Sequence, residues 1–129
     1  MIRIASNPNN IMEVENYLRD LSSAYKISED RYPDILISLT EAVNNAIIHG
    51  NHSDEKKYVS IGCTETSKSI IIKVSDEGKG FNPEKLPDPT CPDRIEECGG
   101  RGVFIMKKLC DSISYKNNGR TVEMKFKLS

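Results

Sequence analysis

Four short stretches of this chain hold residue types that do chemistry. Glu41 and Asn45 stand four apart, a spacing that brings both side chains to one point on a helix face. Alone, such a pair also reads as an ordinary solvated face. Asp76 is followed by Gly78 and Gly80 in the string Val74-Ser-Asp-Glu-Gly-Lys-Gly-Phe81. A buried carboxylate only accepts hydrogen bonds, so it suits an amino group such as the exocyclic amine of adenine. Glycines beside it let the backbone approach a flat or charged ligand. The same residues also make a plain turn after a strand.

Gly99-Gly-Arg-Gly102 precedes a helical run. Glycines at a helix start free backbone N–H groups to face a phosphate, which the helix dipole favours. Arg101 can fork onto phosphate oxygens, although a lid hinge with a solvated arginine has the same composition. Gly119-Arg-Thr121 enters the last strand, where a threonine hydroxyl could meet a base edge or simply serve the strand.

Several familiar signatures are absent. There is no phosphate loop ending in Gly-Lys-Ser/Thr. Pro83 stands where a dinucleotide fingerprint needs its third glycine. The His-Arg-Asp and Asp-Phe-Gly strings of eukaryotic-type kinases and the Ser/His/Asp hydrolase motifs are missing.

The elements that must position these residues follow from periodicity. Ile2 and Ile4 alternate in a short first strand. Ile11, Val14, Leu18 and Leu21 recur at helical spacing after a cap at Asn9 or Asn10. A second helix is predicted over about Tyr32–His49, with Pro33 near its start and Gly50 as its C-terminal cap. It carries an apolar stripe and a polar one of Asp34, Ser38, Glu41, Asn45 and His49. Tyr58–Thr64 and Ser69–Ser75 alternate as a hairpin around Glu65–Lys68. From Asp76 to Gly102 the chain is rich in Gly, Pro and Asp and lacks a hydrophobic period, and a loop of this length reads as a functional lid or a disordered segment. A helix over Val103–Leu109 follows. Ile113–Tyr115 and Thr121–Leu128 then close as a hairpin across Asn118-Gly119. This order predicts an α+β two-layer sandwich, with a mixed, mostly antiparallel sheet and helices on one face.

At 129 residues the chain is expected to form a single domain, 1–129. A net charge of −1 speaks against a general nucleic-acid binder. No apolar run reaches the length of a membrane span, and the start MIRIASNPNN lacks the basic head and apolar core of an export signal. The expectation is a cytoplasmic protein with four reduced thiols, Cys63, Cys91, Cys98 and Cys110. Without a Cys-x-x-Cys pair, and with His49 and His52 as the only close ligand pair, zinc is disfavoured.

In order and spacing the motifs resemble the GHKL ATPase superfamily. Glu41-Ala-Val-Asn-Asn45-Ala-Ile-Ile-His49-Gly50 looks like its N box, and Asp76-Glu-Gly-Lys-Gly-Phe81 like its first glycine box. Gly99-Gly-Arg-Gly-Val-Phe-Ile-Met106, continuing through Leu109 and Asp111, resembles the second glycine box of the anti-sigma-factor serine kinases. The resemblance implies the Bergerat fold, binding ATP and Mg²⁺ under a lid at about 82–101. It implies that Asn45 offers its oxygen to Mg²⁺, which takes few protein ligands. Asp76 would accept from the adenine amine, Gly78 and Gly80 would allow close approach to the base, and Thr121 would support the same edge through water. Gly100, Arg101 and Gly102 would close on the phosphates. Glu41 would be the general base toward an incoming serine hydroxyl. The resemblance further implies a homodimer that binds a sigma factor or phosphorylates a serine of a small STAS-type antagonist protein.

Two rivals differ in class. A histidine kinase needs a histidine-bearing dimerisation helix ahead of the ATPase domain, whereas this chain is expected to begin at the fold itself. An ATP-holding module would sequester a partner without transferring phosphate, and Glu41 argues against it. The topoisomerase and chaperone relatives need domains that 129 residues do not hold.

Overall fold

The computed structural model describes residues 1–66, 68–78, 100–117 and 119–128, with the backbone alone for 100–104. The expected lid therefore lies outside the described residues up to position 99, and Gly80 with it.

The strands are β1 (Ile2–Ala5), β2 (Tyr58–Glu65), β3 (Ser69–Ser75), β4 (Ser112–Lys116) and β5 (Thr121–Lys127). The helices are α1 (Ile11–Tyr25), α2 (Tyr32–Asn45) and α3 (Gly100–Leu109). The five strands form one sheet in the order β1-β2-β3-β5-β4, and every pairing is antiparallel. The sequence allows for a mixed sheet. Passage through α3 does leave β3 and β4 running the same way, but β5 lies between them, so no parallel pair forms.

Register follows the hydrophobic alternation. Ile61 faces Val74, Ile72 faces Met124, and Val74 faces Val122, so one face of the sheet is apolar. That face and the inward stripes of the helices merge into one core. Val14 and Leu18 come from α1, Ile35, Leu39 and Val43 from α2, and Met106 from α3. α2 is rich in Ile and Val, which are slightly unfavourable in helices. The penalty is about 0.5 kcal/mol each, against about 1.5–3 kcal/mol for burying such a side chain. Packing therefore decides that this segment is helical. The opposite sheet face is charged: Glu123 bridges Lys73 and Lys116 at 3.4 and 3.0 Å.

The start of α1 differs in detail from expectation. Asn10 makes no side-chain cap. Asn7 instead caps a short 3₁₀ turn, Pro8–Asn10, by accepting from the Asn9 N–H at 2.9 Å, while Asn10 donates to the Ala5 carbonyl. The closing hairpin turns through Asn117 and Gly119, both at positive φ (54° and 86°). No described helix is long and apolar enough to cross a membrane.

Candidate nucleotide site

α2 supplies one wall. Its core side is anchored by fully buried Ile35, Leu39, Val43 and, just beyond it, Ile47. Glu41 and Asn45 are half-buried on the adjoining face, and the side chain of neither hydrogen-bonds to another described residue. Two chemically capable groups on a rigid helix are thus left available to a ligand. The expected polar stripe does not share one environment. Ser38 is fully buried with no oxygen or nitrogen partner, its neighbour being the Cys110 thiol. Asp34 pairs with Arg31 at 3.0 Å, and His49 is exposed. The stripe is continuous in angle, but different elements cover it along its length; α3 packs along α2.

The end of α2 is widened. Residues Ala46–Gly50 form a π turn, in which the Asn51 N–H reaches the Ala46 carbonyl at 2.8 Å. One such turn inserts an extra residue and shifts the phase of all that follows, a device common at functional sites. The uniform helix expected to His49 therefore stops at Asn45. Gly50 is not a left-handed cap, because it lies within the π turn. The chain leaves that turn through His52 and Ser53, at φ 51° and 56°. Gly50 is small for another reason: a Cβ there would lie 2.5 Å from the Asp76 carboxyl. Likewise a Cβ on Gly78 would lie 1.9 Å from the Gly50 carbonyl oxygen. The π turn and the loop after β3 touch backbone to backbone.

That contact frames Asp76. Its backbone N–H donates to the Arg120 carbonyl at 2.9 Å, which continues the β3–β5 ladder by one step. Its Oδ1 accepts from the Gly78 N–H at 2.8 Å, and Oδ2 accepts from no described residue. Burial pushes the carboxyl up from its ordinary value of 3.8. The Gly78 N–H, then Arg120 and Lys57, pull it partly back. The result is a half-buried acceptor with one oxygen fixed and one oxygen open.

The remaining predicted residues fall as follows. Gly100, Arg101 and Gly102 form the first turn of α3, so this helix starts earlier than the expected Val103. Thr121 is buried but does not turn toward the helices. It lies on the sheet face opposite its neighbour Val122, because successive strand residues alternate. There its hydroxyl meets Ser75 Oγ at 3.0 Å and Asn117 Nδ2 at 3.1 Å. It touches the Asp76 end only through strand pairing. The structure thus brings together Gly50 of the π turn, Asp76 and Gly78, and leaves Thr121 on the other sheet face.

Sequence reasoning passes over Asn51 and Glu77. Asn51 is fully buried, and Glu77 donates its backbone N–H to Asn51 Oδ1 at 2.8 Å. The Glu77 carboxylate accepts from the Tyr58 N–H. An asparagine after a helix and a glutamate after an aspartate both read as turn residues; the burial of Asn51 and the hydrogen bonds of Glu77 separate them from that background. Cys63 and Cys110 are apart from the site, and burial pushes both thiols up to about 11.

An antiparallel sheet thus carries an acidic acceptor at a strand end, pressed against the π turn that follows a helix. The chain matches the histidine kinase-like ATPase domain family over residues 4–126. It is 39% identical over 101 residues to an anti-sigma F factor of Clostridium perfringens (strain SM101), covering 74% of this chain and 72% of that protein. An anti-sigma F factor of Anoxybacillus flavithermus is 34% identical over 100 residues, with 74% and 68% covered. A serine-protein kinase RsbW of Oceanobacillus iheyensis is 25% identical over 122 residues, with 90% and 77% covered. This chain belongs to the histidine kinase-like ATPase family and, within it, to the anti-sigma-factor kinase group of the GHKL superfamily.

Proposed function

We propose that the chain is an ATP-dependent protein serine kinase acting as an anti-sigma regulatory factor in the cytoplasm. It would bind a sigma factor and phosphorylate a serine of a STAS-type antagonist. The observation that carries this reading is the Asp76 carboxyl, with Oδ1 held by Gly78, Oδ2 without a described partner, and Gly50 of the turn that follows α2 packed against it. The names of its relatives, anti-sigma F factor and serine-protein kinase, support the regulatory assignment.

In this reading Asp76 Oδ2 accepts from the adenine amine. Guanine places a carbonyl oxygen there, which a carboxylate repels, so ATP is selected over GTP. Gly78, and Gly80 beyond it, leave room for the base. Gly100, Arg101 and Gly102 open α3, where backbone N–H groups lacking helical partners favour phosphate. Gly100 and Arg101, with the residues preceding them, would belong to the lid at about 82–101. Asn45 fits a magnesium ion: its carboxamide has no described partner, and this cation needs few protein oxygens. Bound magnesium supplies charge neutralisation at the phosphates. Glu41 accepts the proton of the incoming serine hydroxyl as its oxygen bonds to the γ-phosphorus. The bond from that phosphorus to the bridging oxygen breaks, and ADP leaves with the electron pair. The working unit is a homodimer.

Incubation with γ-labelled ATP and a STAS-type antagonist tests the proposal. Label should appear on a serine of the antagonist. Glu41→Gln should lower its rate by about 10²–10⁴-fold, the usual weight of a general base, while calorimetry finds ATP still bound. Asn45→Ala should lose the magnesium-dependent part of that affinity, about tenfold or more for a contact to a charged group. Binding of nucleotide and antagonist with no label in the unmutated protein would leave only the sequestering module.

A further inference from the structure

Asn51 is the only fully buried carboxamide among the described residues, and both its Nδ2 hydrogens and its Oδ1 have hydrogen-bond partners. Its Oδ1 accepts from the Glu77 N–H at 2.8 Å. Its Nδ2 donates to Ser6 Oγ at 2.8 Å and to the Tyr58 carbonyl at 3.1 Å. Ser6 in turn donates from Oγ to the Lys57 carbonyl at 2.7 Å and from its backbone N–H to the same carbonyl at 3.1 Å. Four segments therefore meet on one side chain: the π turn after α2, the end of β1, the start of β2, and the loop after β3.

Geometry gives this hub a direction. Asn51 follows Gly50, whose backbone touches Gly78 and whose small size accommodates the Asp76 carboxyl. Glu77, which Asn51 holds, lies between Asp76 and Gly78. On its other side Asp76 is held through its own N–H by the Arg120 carbonyl. The two peptides on either side of the Asp76 Cα are thus each held by a hydrogen bond, the preceding one by Arg120 and the following one by Asn51. Those bonds hold the backbone from which the Asp76 side chain springs, and the Gly78 N–H holds its Oδ1. Loss of Asn51 would free one flank and leave the Glu77 N–H without its protein partner.

We propose that Asn51 is a positioning residue for nucleotide recognition: its side chain locks the Glu77 peptide so that the Asp76 carboxylate is aimed at the base, and it couples that aim to the end of α2. The role is indirect, since Asn51 is enclosed and touches no ligand. It rests on the assignment of Asp76 to the adenine amine made above.

A double-mutant cycle tests it. Mg-ATP and Mg-GTP are titrated by calorimetry into the unmutated chain, Asn51→Ala, Asp76→Ala and the double variant. Asn51→Ala should weaken ATP about tenfold, the size of a coupling within one hydrogen-bond network, and narrow the preference for ATP over GTP. In the Asp76→Ala background the same substitution should cost ATP nothing further. A general loss of stability would leave the base preference in place, so selectivity separates positioning from mere scaffolding. Should Asn51→Ala fail to fold, Ser6→Ala removes one anchor and keeps the Glu77 bond. It should show a smaller loss of the same kind, again absent without Asp76. Equal losses in both backgrounds overturn the inference alone. Unchanged ATP affinity in Asp76→Ala overturns the assignment of Asp76, and the inference with it.

Discussion

The two ends of α2 are fastened by opposite means. At its start, Arg31 reaches Asp34 at 3.0 Å, Asp111 at 2.7 Å and the Lys127 carbonyl at 3.1 Å, and lies over the Phe126 ring. Those charges are only partly buried, with 24% of the arginine and 33% of each aspartate side chain exposed. Beyond its C-terminal end, Asn51 uses neutral hydrogen bonds in full burial. Ion pairs at a wet surface are weak and screened by salt, and they tolerate small movements. A buried neutral network is directional and costly to leave half-made. The tolerant fastening lies at the β4–β5 end of the sheet and the directional one beside Asp76, where the aim of a carboxylate matters.

That contrast is most severely tested at the Asp76 end. Gly78→Ala puts a methyl group 1.9 Å from the Gly50 carbonyl oxygen, and backbone cannot swing aside as a side chain can. Overpacking of this kind should cost about 3 kcal/mol and lower the melting temperature by roughly 10 °C. A variant that melts with the unmutated protein would mean that the π turn and the β3 loop do not meet as described.

The other end should yield less. Arg31→Ala should destabilise by about 1 kcal/mol, discounted for the exposure of all three partners, and the difference should shrink at high salt. ATP affinity should not change. If affinity fell as far as in Asn51→Ala, α2 would act as one lever and the distinction between its ends would disappear.

The smallest expected effect is a slope with pH. Burial raises the Asp76 carboxyl, so the folded chain binds that proton at a pH where the unfolded chain has released it. The contribution of Asp76 to stability is fully present below its ordinary value of 3.8 and is lost as pH rises through the raised value. ATP binding runs the other way, weakening as acid protonates the acceptor. Asp76→Asn should flatten both slopes, measured by denaturant titration and by calorimetry. If binding and stability responded to acid in the same direction, that acceptor role would be excluded.

Much of the frame is legible in the residues. Ile70, Ile72 and Val74 alternate because a half-buried strand requires it, and Val122, Met124 and Phe126 face them in register. Val14, Leu18 and Leu21 mark the buried side of α1. Glu41 and Asn45 share a face by helical arithmetic. Less legible is whatever depends on contact between distant segments. The spacing of a helix does not announce an inserted residue, so the π turn and the true use of Gly50 are hidden. A strand's alternation assigns Thr121 to one face, but which face meets the ligand depends on where the helices pack.

Periodicity by itself determined the five strands, the three α-helices and the α+β class, and the order of the motifs carried the resemblance to the family, because hydrophobic period and motif spacing are properties of the chain in one dimension. Only the tertiary structure decided that Gly50 abuts Asp76, that Thr121 turns away, and that Asn51 is a hub. Burial is a property of what surrounds a residue, and the partners of Asn51 lie as far along the chain as Ser6 and Glu77.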